Sequence, residues 1–186
     1  YKEASGEAAF YGPKLDIQIK NVHGKEDTLI TIQIDFQLAE RFGMTYVDAE
    51  GQTKYPYVIH RTSIGCYERT LALLLEKYAG ALPTWLMPEQ VRVLPISDRL
   101  IDDAKKVEEQ LSRAGIRVSC DTRSEKVGYK IREAQLEKIP YMLVIGDKEV
   151  EEGTVSVRSR KEGDLGSMPV ESFLSKILQE IATKAK

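Results

Sequence analysis

The sequence predicts an α/β chain in two parts: a partial antiparallel sheet carrying one helix, then a mixed sheet covered by helices. Two early runs alternate strictly: Leu15, Ile17 and Ile19 against Asp16, Gln18 and Lys20, and Ile30, Ile32, Ile34 and Phe36 against Thr31, Gln33 and Asp35. That is the period of half-buried strands. An apolar run then delivers His60 and Arg61, turns at Gly65 and passes into apolar residues at helical spacing. Beyond the proline-bounded stretch Pro83-Thr84-Trp85-Leu86-Met87-Pro88, short apolar strands alternate with amphipathic helices. The division is expected there, giving domains at 1–88 and 89–186.

In the first part, the two alternating runs pair across a polar turn over residues 21–27, and residues 57–61 add a strand. The apolar faces of these strands are expected to be core. Leu71, Leu74, Leu75 and Tyr78 mark a helix that Gly80 caps. In the second part, residues 91–96 form a strand. Leu100, Ala104, Val107, Leu111 and Ala114 define a helix that Gly115 stops. Residues 116–120 are the next strand, Val127, Ile131 and Ala134 the next helix, and residues 140–145 and 154–160 two more strands. Pro169 opens a last helix with Val170, Phe173, Leu174, Ile177, Leu178 and Ile181 on one face. The order β-α-β-α-β-β-α implies right-handed crossovers between its parallel strands.

At 186 residues, 42% hydrophobic and 30% charged, the composition is that of a globular chain and excludes disordered and collagen-like classes. No apolar run reaches the roughly 18 residues a membrane span needs, so no membrane partner is expected. The first residues lack the basic-then-apolar plan of a signal peptide and begin without Met, so the chain reads as a fragment of something longer. Cys66 and Cys120 form no CxxC pair and are expected to be reduced thiols in the cytoplasm. A net charge of −2 argues against a sequence-blind basic nucleic-acid binder but leaves room for a local basic site.

Several constellations could carry chemistry. Thr31, Gln33 and Asp35 offer a hydroxyl, an amide and a carboxylate along one strand face, about 7 Å apart. Such a row suits directed hydrogen bonds to a small polar ligand, although polar strand faces are usually only solvated. His60 is one of two histidines and alone cannot hold a metal. Arg69 opens the helix after Gly65; it pairs with Glu68 or Glu76, or it lays a planar cation on a ring. Arg123, Lys126 and Lys130 are expected to stack like charges on one helix face, where a bound anion would relieve them. Ser156, Arg158 and Arg160 share one strand face.

The run Tyr57-Val58-Ile59-His60-Arg61-Thr62-Ser63-Ile64-Gly65-Cys66-Tyr67-Glu68-Arg69 resembles motif 3 of the class II aminoacyl-tRNA synthetases, and its flanks are most similar to the threonyl-tRNA synthetase family. Gly6-Glu7-Ala8-Ala9-Phe10-Tyr11-Gly12-Pro13-Lys14-Leu15-Asp16 resembles the lead-in to that active site. Gly128-Tyr129-Lys130-Ile131-Arg132-Glu133-Ala134, Pro140-Tyr141-Met142-Leu143-Val144-Ile145-Gly146-Asp147-Lys148-Glu149 and Gly163-Asp164-Leu165-Gly166-Ser167-Met168 resemble the anticodon-binding domain. The resemblance implies the C-terminal part of a synthetase that uses ATP with Mg2+ to join threonine to its tRNA as a homodimer. It implies Arg69 on the adenine, with Gly65 and Thr31 beside the nucleotide, and Gln33, Tyr11 and Lys14 at the reacting groups. His60 is implied as one of three protein ligands of Zn2+; the other two family ligands lie upstream, and neither Cys66 nor Cys120 replaces them. Glu149 and Arg158 are implied as readers of anticodon bases, with Lys126 and Arg132 near the loop.

Three positions depart from the family: Thr28 stands where relatives carry glutamine, Cys66 where many carry serine, and Ser124 where many carry asparagine. Motifs 1 and 2 are not among these residues, so the fragment is not expected to activate threonine alone. A non-catalytic synthetase-like RNA-binding or regulatory paralogue, and a nucleotide-binding or interaction module whose basic faces are merely solvated, are the competing readings.

Overall fold

The computed structural model describes residues 1–185 and divides into two compact units, Tyr1–Lys77 and Tyr78–Lys186. The first holds β1 (Lys14–Lys20), β2 (Glu26–Asp35), a single helical turn α1 (Leu38–Arg41), a small hairpin β3 (Tyr46–Val47) and β4 (Thr53–Lys54), then β5 (Val58–Arg61) and α2 (Tyr67–Lys77). Strands β1, β2 and β5 make an antiparallel sheet with β2 central. The pairs Ile17↔Ile30 and Gln18↔Thr28 leave Leu29 without a partner. This bulge puts Thr28 on the polar face, one residue off the simple alternation.

The expectation that the apolar strand faces are core is not met within this unit. Leu15 is 58% and Ile59 67% exposed, and Ile17, Ile34 and Phe36 are exposed as well. Helix α2 buries none of its residues. Alternation reports that a face is apolar, not what lies on it, and three strands with one helix cannot enclose both sheet faces. The polar face is the better covered one, with Thr31 and Gln33 half-buried and Asp35 buried.

The second unit contains β6 (Val91–Pro95), α3 (Ile101–Arg113), β7 (Val118–Cys120), α4 (Val127–Leu136), β8 (Tyr141–Ile145), α5 (Asp147–Glu152), β9 (Thr154–Ser159), β10 (Gly163–Pro169) and α6 (Val170–Ala182). Its sheet runs β10-β9-β8-β6-β7, with β6 parallel to β7 and β8 and the other pairs antiparallel. Alternate residues Val91, Val93, Leu143, Ile145, Val155 and Val157 meet Ala104 and Leu111 of α3 and Phe173 and Ile177 of α6 in one core. Helix α5 and strand β10 add to the order expected from the sequence. Helix α5 has one apolar residue, Val150, and so no visible period. In β10 a register shift between Asp164 and Gly166 sets the two core-contacting residues, Leu165 and Met168, three apart instead of two. Among the described residues no helix is long and apolar enough to cross a membrane.

Two features tie the unit together away from the core. Arg160 donates to the carbonyls of Leu82 (2.7 Å), Ala81 (3.3 Å) and Lys138, and Lys138 Nζ donates to Ala79 O. The entering segment is thus fixed by two cations, with Leu82, Thr84 and Met87 buried. On β6, Arg92 donates through Nε and Nη2 to Glu89 (2.8 and 2.6 Å) and through Nη2 to Glu137 (2.6 Å). Burial works to raise the Glu89 carboxyl, but the hydrogen bonds from Arg92 and Ser119 outweigh it and hold it below its ordinary value of 4.5. A depressed carboxylate stabilises the fold above that ordinary value and loses its contribution as pH falls through the folded-state value. The second unit is therefore expected to weaken on acidification below pH 4.5, and Glu89→Gln to flatten that dependence. Urea midpoints followed by circular dichroism between about pH 3 and 7 test this; identical slopes for both proteins would refute it.

Candidate functional site

In the first unit the polar face of the β1-β2-β5 sheet is a hydrogen-bonded array. Register places Lys14 and His60 opposite Gln33 from either side, and Asp16 opposite Thr31. Lys14 Nζ lies 2.7 Å from Asp16 Oδ2, and Thr31 Oγ1 donates to Asp16 Oδ1 (2.8 Å). The Lys14 hydrogen bond holds Asp16 below the usual carboxylate range, against a smaller opposing effect of burial. Asp16 in turn raises Lys14.

Tyr11 precedes β1 and reaches the same face, where its hydroxyl donates to Gln33 Oε1 (2.6 Å). The chain can bring it there because residue 12 is glycine: a methyl group at Gly12 would lie 2.0 Å from Ile34 O. His60 Nε2 and Asp35 Oδ2 are 3.1 Å apart, and the Tyr11 and His60 rings meet edge-on at 6.2 Å. Asp35 Oδ1 also accepts the N–H groups of Gln37 and Leu38, both at 2.8 Å, at the start of α1. Burial opposes ionisation of Asp35, but these two N–H bonds and His60 together keep its carboxyl low.

At the other end of β2 the bulge receives the turn into α2. Gly65 has φ +73°, and a methyl group there would lie 2.3 Å from Leu29 O. Only glycine fits both the left-handed backbone and the close approach. Two residues on, α2 begins, and Arg69 Nη1 donates to Thr28 O (3.1 Å). Arg69, Thr28, Leu29, Ile19, Asp27 and Leu73 line a cleft with about 390 Å³ of open space. The Thr28 hydroxyl accepts a hydrogen bond from Gln18 (3.0 Å).

Zinc fits poorly here. His60 and Asp35 supply two donors, and among the described residues no group of three or more His, Cys, Asp or Glu side chains could hold a metal ion. Cys66 instead donates to Glu68 (2.9 Å). Cys120 is half-buried, and that burial, reinforced by Glu108, pushes its thiol up to about 11.

In the second unit, Glu149 sits in the first turn of α5, where Oε2 accepts from Gly146 N–H (3.0 Å) and Oε1 from Ser167 Oγ (3.2 Å). Ser167 pairs with Ser156, and Asp164 with Arg158, across β9 and β10. Arg158 Nη2 lies 3.1 Å from Asp164 Oδ2. Glu149 and Arg158 thus reach the same two-stranded edge, on the sheet side away from Val155 and Val157. Lys126 and Arg132 stand at the start and middle of α4, exposed and without side-chain partners among the described residues.

The expected stack of Arg123, Lys126 and Lys130 on one helix face does not form. Helix α4 begins only at Val127. Arg123 precedes it and is neutralised by Asp121 (2.6 Å) and Glu133 (2.5 Å). Lys130 is 3% exposed and donates to Asp121 O (3.0 Å) and Pro95 O (3.3 Å), joining the ends of two parallel strands. Arg160 likewise spends its guanidinium on backbone carbonyls.

In the first-unit array, Asp35 belongs to the row read from the sequence, whereas Asp16 carries no site signal of its own there. The strand alternation placed both on the polar face; their partners follow only from register.

The tRNA synthetase class II core domain family (G, H, P, S and T) matches residues 2–78, and the anticodon binding domain family matches residues 90–180. A threonine--tRNA ligase of Clostridium perfringens (strain SM101 / Type A) is 65% identical over 184 residues, 99% of this chain and 29% of that protein. Over its whole length the chain matches threonyl-tRNA synthetases. A second family member, from Caldanaerobacter subterraneus subsp. tengcongensis, is 55% identical over 185 residues. A crystal structure of the RNA binding domain of threonyl-tRNA synthetase from Cryptosporidium parvum Iowa II covers 94% of the chain at 39% identity, with a TM-score of 0.84; the chain covers 44% of it. The chain spans 29% of the length of the curated synthetases it matches.

Proposed function

We propose that this chain is part of a threonine–tRNA ligase that joins threonine to its tRNA with ATP and Mg2+, and that its second unit reads the anticodon. The agreement of both units, in order, with one family along the whole chain carries the reading. As a functional division, residues 1–88 belong to the catalytic part and 89–186 to the anticodon-binding part; by packing, the division falls at Tyr78.

On the first unit, Arg69 stacks its guanidinium on the adenine, Gly65 keeps the approach open, and Thr31 lies beside the nucleotide. Lys14, Gln33 and Tyr11 form the polar face on which the reacting groups lie. Their mutual hydrogen bonds fix donors and acceptors before substrate arrives, which is how positioning contributes to rate. His60 is assigned one donor position toward a metal of the whole enzyme. The residues present do not complete such a site, and no step here rests on it. The catalytic site is incomplete within this chain, and the whole enzyme is a cytoplasmic homodimer.

On the second unit, Glu149 accepts from base amino groups and Arg158 donates to base acceptors exposed in an unpaired loop. Lys126 and Arg132 hold the backbone. The chain is expected to prefer a threonine-tRNA anticodon stem-loop over one with the middle and last anticodon bases changed, at moderate salt. Arg158→Ala should weaken cognate binding by about 1–3 kcal/mol and erase most of the preference. Fluorescence anisotropy across a salt series decides. Equal, steeply salt-dependent binding to both loops would mean generic attraction to phosphate and end the anticodon assignment.

A further inference from the structure

The exposed face of α4 carries an aromatic ring that the fold does not use. Tyr129 is 48% exposed and lies between Lys126 and Arg132 along the chain. At 3.6 residues per turn, a step of three places Arg132 about 60° around the helix from Tyr129, on the same side. Lys126 stands at the mouth of that helix. Neither cation has a side-chain partner among the described residues, so both are available to an anion. A methyl group at Gly128 would meet nothing within 4 Å, so the surface beside the ring is open.

The ring also has a charged neighbour. Glu133, one turn further along α4, raises the phenol, and the phenol together with Arg123 keeps that carboxyl low. Glu133 lies 2.5 Å from Arg123, and Arg123 grips the buried Asp121 through Nε (2.9 Å) and Nη2 (2.6 Å). A chain of charged contacts therefore runs from the end of β7 to Glu133, one turn along α4 from the ring. The ring itself stands half in solvent, and a tyrosine has few side-chain torsions to lose when something stacks on it. Flat, sequence-tolerant ring surfaces beside unpaired cations are what unpaired bases and their phosphates require.

We infer that Tyr129 is a stacking platform for an unpaired base of the tRNA anticodon loop, with Lys126 and Arg132 holding the adjoining phosphates. The inference rests on the proposal that the second unit binds that loop. It adds an affinity contact distinct from base reading by Glu149 and Arg158.

The test uses the full 186-residue chain and the cognate stem-loop, read by anisotropy. Tyr129→Ala and Tyr129→Leu are expected to weaken binding about tenfold or more, with the salt slope unchanged because no charge is removed. Tyr129→Phe should stay close to the parent chain, since the ring remains. Lys126→Ala should reduce the salt slope by about one phosphate contact. A fluorescent adenine analogue in the loop should be quenched by the parent and Phe chains and not by the Ala and Leu chains. Far-UV circular dichroism confirms that each variant is folded. If Arg158→Ala weakens binding while Tyr129→Ala and Tyr129→Leu stay within twofold of the parent, anticodon reading stands and the platform is refuted. If the parent chain itself fails to distinguish cognate from altered loops, the anticodon reading falls and the platform falls with it.

Discussion

Phe173→Ala is expected to lower the stability of the second unit by about 3–5 kcal/mol. The ring is fully buried on α6, between Val170 and Ile177 of the same face, in the core that also holds Val155 and Val157. It meets the Tyr141 ring edge-to-face, with centroids 5.4 Å apart and planes at 75°. Truncation removes the transfer free energy of the ring, leaves a void that β9 and α6 cannot close, and deletes the aromatic pair. The Tyr141 hydroxyl is tied to Glu180 (2.6 Å), so that ring cannot swing into the space without breaking a hydrogen bond. Domains of this size have about 5–15 kcal/mol in total, so the variant should lose a large share of its stability. Leu174→Ala, one position along and only partly buried, should cost clearly less. Urea unfolding of the two variants gives the comparison; equal losses would contradict the assigned core.

Gly65→Ala is expected to release α2 from the sheet while leaving the second unit intact. The left-handed backbone costs an alanine about 1–2 kcal/mol. The added methyl would also lie 2.3 Å from a backbone carbonyl, that of Leu29, which no side-chain adjustment relieves. The turn must open, and α2 starts two residues later, so Arg69 is carried away from Thr28 O and the cleft loses a wall. Because α2 buries no residue of its own, little else resists the displacement. Amide hydrogen exchange across residues 67–77 should accelerate markedly in the variant, with residues 91–182 unchanged. Unaltered exchange in α2 would show that the turn tolerates the methyl group.

The helices of the second unit were legible because their apolar residues repeat at one period over three turns or more. Leu100, Ala104 and Leu111 are all buried, as are Val170, Phe173 and Ile177. Helix α5 and strand β10 were not, since one is acidic with a single apolar residue and the other changes phase at its bulge. In the first unit the alternation of β2 announced which residues share a face. It could not announce that the apolar side is left open.

The polar array shows the same limit. Thr31, Gln33 and Asp35 could be placed in a row from spacing alone. Their partners Asp16, Tyr11 and His60 lie 15, 22 and 25 residues away in sequence, and only strand register joins them. Helical spacing alone places Lys130 among the surface charges, where lysine usually lies. Its ammonium is instead buried against two strand-end carbonyls, an environment set by tertiary placement and invisible to helical periodicity.

Residues 79–89 fall between the two family matches and belong to neither. Yet Arg160 and Lys138 hold the carbonyls of Ala79, Ala81 and Leu82, and Thr84 donates to Glu180 at 2.5 Å. A piece trimmed to the recognisable anticodon segment would expose the surfaces under Leu82 and Met87 and leave the half-buried Arg160 guanidinium with the Lys138 carbonyl alone of its three acceptors. What lies between the two family matches is, mechanically, the splint that the second unit folds around.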